Sequence, residues 1–440
     1  MNNKKWMAIL LGGIMAASLA APCSVSAAEK TTLTFWHAMG GTNGEVLQQI
    51  VDDFNASQDE IEVKAEYQGT YDDTITKLKA AMQSDSGLPD VCQMYDVGTK
   101  FMYDSGAVIP VEDKFESTGY DKSSVMEVIS SYYTVDGKQY AMPFNVSTPM
   151  LYYNKDVFEA AGLDPETPPT TYDEVLEDAK KIVESGAAPV GYSQAIYGWF
   201  FEQQLAGLGV TYGNNDNGRT EAVTAVDFDS NGGGLKVFDM WKKLYDSGYF
   251  EDYGTTTADT QTAFFSGQVG MIIESTAILK NAVDSSPFEV GTGYLPRIEQ
   301  NDEGGVIIGG GSLWLTDTGN EANEDAAWKF IEYITTPDVQ AKWSMGTGYF
   351  AINEKAYETD DMKAYLEENP NFETAINQLK DSPVNCNTAG VLSGVQTEAR
   401  LTFNEIMPQV YDGKLTTQDA VDQLAASVNK AIENYNESIK

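Results

Sequence analysis

The chain has a single histidine, His37, in 440 residues, and it sits beside Trp36 at the end of a strand-like run. A zinc site built from several histidines is therefore excluded, as is an HExxH metalloprotease helix. A Ser-His-Asp triad would have to use His37, and no GxSxG supports one. Positive charge is scarce as well. Lys and Arg total 28 against 66 Asp and Glu, the net charge is −38, and the only arginines are Arg219, Arg297 and Arg400. A surface this acidic repels nucleic acid and anionic membrane. Past the N-terminus no run of about 18 apolar residues occurs, so a later membrane span is not expected. The glycine-rich "GVIIGGGSLW" lacks the GKS or GKT of a phosphate loop, and no dinucleotide fingerprint follows a strand. Glycosidase chemistry requires only two carboxylates. The sequence leaves it open, but no acid stands out from a solvated surface.

What is present begins with an export signal. Lys4 and Lys5 precede an apolar run from Trp6 to Ala21, followed by small residues in "CSVSAAEK". This pattern predicts a signal peptide, 1–28, cleaved near Ala27/Ala28, and an exported periplasmic or extracytoplasmic chain. Pro22 argues against lipidation of Cys23, because a small residue normally precedes the modified cysteine. After cleavage only Cys92 and Cys386 remain. They form either a disulfide or two separate buried thiols, and the second is expected because "DVCQMYDV" reads as a buried strand.

The remaining roughly 410 residues suffice for two lobes with full cores. "TTLTFWH" (31–37), "IEVKAEYQG" and "DVCQMYDVG" alternate with helical stripes such as Val46, Leu47, Ile50, Val51 and Phe54. That alternation predicts a mostly parallel, doubly wound α/β sheet. Further helices are expected at 172–185, 232–246 and 257–266, with strands at 269–275, 288–296 and 305–315. From Gly319 on the chain reads as nearly all helical. Its last helix is capped by Thr416 with Asp419 and turns Val421, Leu424, Val428, Ile432 and Tyr435 inward. Without a low-complexity linker, two lobes imply several crossings, near Phe144–Pro149, Gly309–Ser312 and Pro370. Polar and aromatic residues at carboxyl ends of strands, including Trp36, His37, Tyr71, Asp96, Ser275 and Tyr349, face the ligand crevice in such sheets. Each also has an ordinary reading, as a core ring or a turn.

"LTFWHAMGGTNGEVLQQIVDDFNAS", "YQGTYDDTITKLKAAM", "PFNVSTPMLYYNKDVFEAAGLDPETPPTTYDE", "VIIGGGSLWL" and "GTGYFAINEKAYE" together resemble the extracellular solute-binding proteins of ABC importers (family 1), most closely their glycerol-phosphate-binding branch. The resemblance runs from about residue 31 to the C-terminus. "LYYNKD…GL" marks the broad superfamily, whereas "FWHAMGG", "YQGTY" and "IIGGGSLW" are more specific to the branch. It implies a two-lobe periplasmic-binding-protein fold of the maltose-binding type, with doubly wound sheets and a hinge of crossing segments. The expected lobes are 29–143 plus about 310–370, and 144–309 plus about 371–440.

It also implies a binding protein rather than an enzyme, without metal or cofactor, a monomer that delivers a small ligand to a membrane permease. The expected ligand is glycerol-3-phosphate or a glycerophosphodiester such as glycerophosphocholine. The alternative is an oligosaccharide, and more distantly a cleft glycoside hydrolase. Carried over position by position, the family's ligand contacts fall on Tyr71, Ser147, Ser275, Gly310, Tyr349 and Arg400. Two positions depart. Asp96 stands where the family has glutamate, and Ile196 replaces one of two tryptophans while Trp199 is kept. Lost aromatic wall at Ile196 is expected to widen the pocket. Trp199 and Tyr197 would then receive a choline group through cation–π contact. Arg400 fits a phosphate because a guanidinium offers bidentate, permanently charged donors; an ordinary ion pair with a neighbour such as Glu398 is its competing reading. Loss of Arg400 is accordingly expected to weaken binding far more than folding.

Overall fold

The structure is a computed structural model describing residues 30–84 and 87–439. The expected signal peptide, its expected cleavage site and Cys23 lie outside the described residues.

Among the described residues, twelve strands form two main sheets and a small hairpin. The first sheet holds β1 (Thr31–His37), β2 (Ile61–Tyr67), β3 (Val91–Tyr95) and β4 (Val108–Ile109). The hairpin is β5 (Thr134–Val135) with β6 (Lys138–Gln139). β7 (Met142–Ser147) pairs with β12 (Gly309–Thr316) in the first sheet, whose main order is β2-β1-β3-β12-β4. The second sheet contains β8 (Pro149–Asn154), β9 (Val190–Ser193), β10 (Val269–Ser275) and β11 (Val290–Gly293), in the order β11-β8-β10-β9.

β1 shows why these residues form a sheet. Leu33, Phe35 and His37 are buried and alternate with the less buried Thr32, Thr34 and Trp36, the period-two pattern of a strand with one face in the core. The helix Gly41–Ser57 then buries Leu47, Ile50, Val51 and Phe54 against it. Helix starts follow their capping chemistry. Thr70 with Asp73, Thr171 with Glu174, and Thr416 with Asp419 each make a reciprocal capping box. The expected helix at 172–185 is Tyr172–Ser185, and those at 232–246 and 257–266 are Gly233–Asp246 and Thr257–Phe265.

Strand direction departs from expectation. β1 pairs in parallel with β2 and β3, but β12 runs antiparallel to β3, β4 and β7. In the second sheet β8 is antiparallel to β10 and β11, and only β9–β10 is parallel. β7 and β8 follow one another through Thr148 into different sheets, and β12 returns from the second lobe. Strands that arrive by crossing are not bound by the right-handed parallel crossover that organises β1 to β3.

The first sheet continues through Ser147, so the first change of sheet falls at Thr148 and not at 143/144. There Thr276 donates its backbone N–H to the Thr148 carbonyl at 2.8 Å and accepts from the Thr148 N–H at its Oγ1 at 3.2 Å. The helices Glu321–Ile334 and Pro337–Thr347 pack on the first lobe. The helices Gly198–Gly207, Gly233–Asp246, Gln396–Tyr411 and Thr417–Ser438 share the second core. Cys92 and Cys386 are free thiols, the first fully buried in β3 with its pKa pushed up to about 12 by burial.

Candidate ligand-binding site

The first-lobe half of the site is a hydrogen-bonded chain at the carboxyl ends of β1 and β3. Gln93 accepts from the Ala38 backbone N–H at 2.8 Å and donates to Asn145 Oδ1 at 2.7 Å. Asn145 in turn donates to the Tyr71 hydroxyl at 2.6 Å. The Tyr349 hydroxyl lies beside both, and its ring stacks on Trp343 at 5.5 Å. Tyr71 opens the capped helix Tyr71–Met82 and stacks on Tyr95 with centroids 5.1 Å apart and an interplanar angle of 9°. Burial raises the hydroxyl pKa of Tyr71 well above its usual value, so it stays a neutral donor and acceptor.

Gly310 completes this half. Its φ is +89°, and an added Cβ would lie 1.8 Å from the Asn145 carbonyl oxygen. Only glycine allows β12 to approach β7 here. Next to it, Gly309 pairs with Ser147 and carries the edge of the Trp199 indole, where a Cβ would meet Cζ2 at 2.7 Å. Trp199 Nε1 is buried and has no hydrogen-bond partner among the described residues.

The second-lobe half is organised by a close helix crossing. A Cβ on Gly198 would come within 2.5 Å of the Arg400 Cα, and Gly198 N–H donates to Asn404 Oδ1 at 2.9 Å. With the helices Gly198–Gly207 and Gln396–Tyr411 this close, Glu202 falls one turn beyond Gly198, against the Arg400 guanidinium. Arg400 donates through Nε to Glu202 Oε1 at 2.8 Å and through Nη2 to Glu202 Oε2 at 2.7 Å. The same Nη2 reaches across the lobes to Asp96 Oδ2 at 2.8 Å. All three side chains are buried. Burial opposes the charge on Arg400, but Asp96 and Glu202 outweigh it and hold the guanidinium protonated well above its usual range. Arg400 is therefore not a surface partner of Glu398, which is exposed. A second tie between the lobes joins the Tyr95 hydroxyl and Thr397 Oγ1 at 2.5 Å.

Tyr197 stands among the charges of this site. Burial first, and then Asp96, Glu202 and Glu274 against the opposing Arg400, push its pKa up to about 12. Glu274 precedes Ser275 at the end of β10 and accepts from Gln261 Nε2 at 2.9 Å and from the Ser275 N–H at 2.7 Å. Ser275 Oγ accepts from the Ala277 N–H at 3.2 Å, and the Ser275 carbonyl accepts from Tyr152 at 2.7 Å.

Two expected positions sit elsewhere. His37 lies on the core side of β1, its ring 5.6 Å from Phe35 and 5.9 Å from Tyr67, with Nδ1 accepting from the Met39 N–H at 3.3 Å. Burial lowers its pKa to about 4, so it is a neutral core residue at ordinary pH. Ile196 packs in the second core and donates its N–H to the Gly254 carbonyl at 2.8 Å. Ile196 is buried in that core, and Tyr197 is the aromatic residue next to the charges. Glu202, Glu274, Gln93 and Asn145 were not singled out in the sequence, where nothing separates them from other polar residues. Two surface cavities, of about 550 Å3 beside Gly304–Val306 and about 790 Å3 beside Arg219, contain none of the expected site residues.

Glu274 has no cationic partner among the described residues, and desolvation raises its pKa above the ordinary 4.5. For a carboxyl raised by folding, the penalty is absent below the unfolded pKa and appears as pH rises through the folded one. Glu274→Gln is therefore expected to be more stable than the parent at neutral pH, with the difference vanishing in acid. Melting curves of both proteins across that range check this, and parallel pH profiles would refute it.

A two-lobe α/β architecture with its polar cluster between the lobes at strand ends is that of a solute receptor, and sequence comparison agrees. The profile of the bacterial extracellular solute-binding proteins matches residues 49–374. The chain belongs to that family. It is 31% identical over 417 residues to the sn-glycerol-3-phosphate-binding periplasmic protein UgpB of Escherichia coli K12, covering 93% of this chain and 94% of that protein. The protein of the same name from Shigella dysenteriae is 30% identical over 420 residues.

Among solved structures, the cyclic α-maltosyl-1,6-maltose binding protein of Arthrobacter globiformis superposes with a TM-score of 0.77 at 25% identity, covering 92% of this chain and all of that one. UgpB of Mycobacterium tuberculosis, in complex with glycerophosphocholine, gives a TM-score of 0.79 at 20% identity, covering 93% and 100%. The fold is thus the two-lobe, maltose-binding-protein-like one. The chain is a substrate-binding component of an ABC importer; its homologues are periplasmic binding proteins rather than enzymes, and the family works with ABC permeases. The family is extracellular or periplasmic, and among the described residues no helix is long and apolar enough to cross a membrane.

Proposed function

We propose that this protein captures glycerol-3-phosphate or a glycerophosphodiester between its lobes. The observation that carries the reading is the state of Arg400. Its Nε and Nη2 are engaged by Glu202 and Asp96, while Nη1 makes no hydrogen bond within the described protein. A buried guanidinium with an open donor edge at a lobe junction suits a phosphate oxygen. The unpartnered indole N–H of Trp199 is a second donor that a ligand acceptor would satisfy. Asp96, Ser147, Ser275 and Tyr71 supply acceptors and donors of the kind that read glycerol hydroxyls. Opening the lobes breaks the Asp96–Arg400 pair, so a ligand bridging both sides favours the closed form by differential contact. We further take the protein to be a monomer, with lobes of about 29–147 plus 309–370 and 148–308 plus 371–440.

Titration calorimetry against glycerol-3-phosphate, glycerophosphocholine and maltose tests the reading. One or both glycerol phosphates should bind, glycerophosphocholine at least as tightly, and saturation should raise the melting temperature by mass action, worth about 2.7 kcal/mol at a hundredfold excess over Kd. Binding of maltose alone would overturn it in favour of an oligosaccharide receptor.

A further inference from the structure

We infer that Glu202 sets the charge preference of the site, making it select singly charged phosphates over the phosphate dianion. The inference rests on the glycerol-phosphate reading above and names what that reading leaves open.

Glu202 does not face the ligand alone; it acts through Arg400. Its two oxygens take the Nε and one Nη2 donor at 2.8 and 2.7 Å, and Oε1 also accepts from Gln396 Nε2 at 3.0 Å. Asp96 takes the second Nη2 donor. Of the five N–H donors of a guanidinium, this leaves the two on Nη1. Geometry thus allows one phosphate edge, and the fixed fork cannot turn to offer more.

Charge points the same way. One guanidinium between two carboxylates carries a net −1 before any ligand arrives. Glu274, on β10, adds another buried carboxyl whose field reaches Tyr197. The other titratable groups facing Glu202 are Tyr197 and Tyr212, both neutral because burial raises their pKa values. A phosphodiester brings one negative charge, and in glycerophosphocholine a trimethylammonium cancels it. A phosphomonoester gains its second charge near pH 6. Placed within several ångströms of an already negative, desolvated triad, that charge costs roughly a factor of ten or more in affinity. Burial raises the pKa of Glu202 itself, with Arg400 opposing. Protonation of Glu202 in acid therefore relaxes the discrimination with the same sign as protonation of the ligand.

The test is calorimetry of wild type, Glu202→Gln and Glu202→Asp with glycerophosphocholine and glycerol-3-phosphate, at about pH 5 and about pH 8, either side of the second phosphate ionisation. In wild type, glycerol-3-phosphate should lose roughly tenfold in affinity between the two, and glycerophosphocholine should change little. Glu202→Gln should recover most of that loss at high pH and flatten the profile, while Glu202→Asp should keep the wild-type ratio. A purely structural role would weaken both ligands by one factor, and an unchanged ratio in Glu202→Gln overturns the inference. Should that variant fail to fold, a flat wild-type profile for glycerol-3-phosphate overturns it instead. If wild type binds neither ligand, the glycerol-phosphate reading itself falls.

Discussion

Arg400→Ala is expected to abolish ligand capture and, against the expectation from sequence, to destabilise the fold by about 3–5 kcal/mol. The sequence suggests that binding suffers far more than folding, because it places Arg400 in the site without its partners. Among the described residues the guanidinium is the one cation bound to two buried carboxylates, Asp96 and Glu202. Removing it leaves both acids desolvated and mutually repulsive, which costs far more than the net worth of the ion pairs. The binding loss itself should be at least about 2–3 kcal/mol, as for a buried charge-assisted contact. Urea unfolding and calorimetry measure the two effects separately. Adding Asp96→Asn and Glu202→Gln to the alanine variant should return much of the stability and none of the binding. A single variant as stable as wild type would show that the triad is solvated and the geometry above wrong.

Gly310→Ala should be comparably damaging, for a reason that involves no charge. The residue adopts φ +89°, and the new methyl would sit 1.8 Å from the Asn145 carbonyl oxygen, which is backbone and cannot swing aside. β12 would have to withdraw from β7, and with it Asn145, whose side chain links Gln93 to the Tyr71 hydroxyl. A loss of about 3 kcal/mol or more is expected, combining left-handed strain with a broken ladder. Thermal unfolding reads it directly. A Gly41→Ala control, also at positive φ but with no described atom within 4 Å of its Cβ, should cost less. Equal melting temperatures for the two variants would contradict the steric argument.

Much of the fold was legible because it is written locally. Strand alternation in 31–37, the helical stripe Leu47, Ile50, Val51 and Phe54, and the Thr416–Asp419 box each depend on residues within a few positions of one another. The lack of a histidine cluster and the scarcity of arginine also follow from composition. With three arginines in the chain, Arg400 stands out already in the sequence.

Tertiary structure decided the rest. Arg400 lies 198 residues from Glu202 and 304 from Asp96, so no window of sequence contains the triad. Which carboxylates meet the guanidinium depends on where two helices cross, and that crossing is permitted by Gly198 at the Arg400 backbone. The antiparallel direction of β8 in the second sheet and of β12 in the first likewise depends on where the chain changes lobes, not on either strand's own residues. His37 and Ile196 show the same limit from the other side. Each looked like a site residue by position in a motif, and each was taken into a core by the packing of elements far away in the chain. Local periodicity fixes which faces are apolar; only the assembled lobes decide which polar groups are stripped of water together, and that shared desolvation is what makes a binding site.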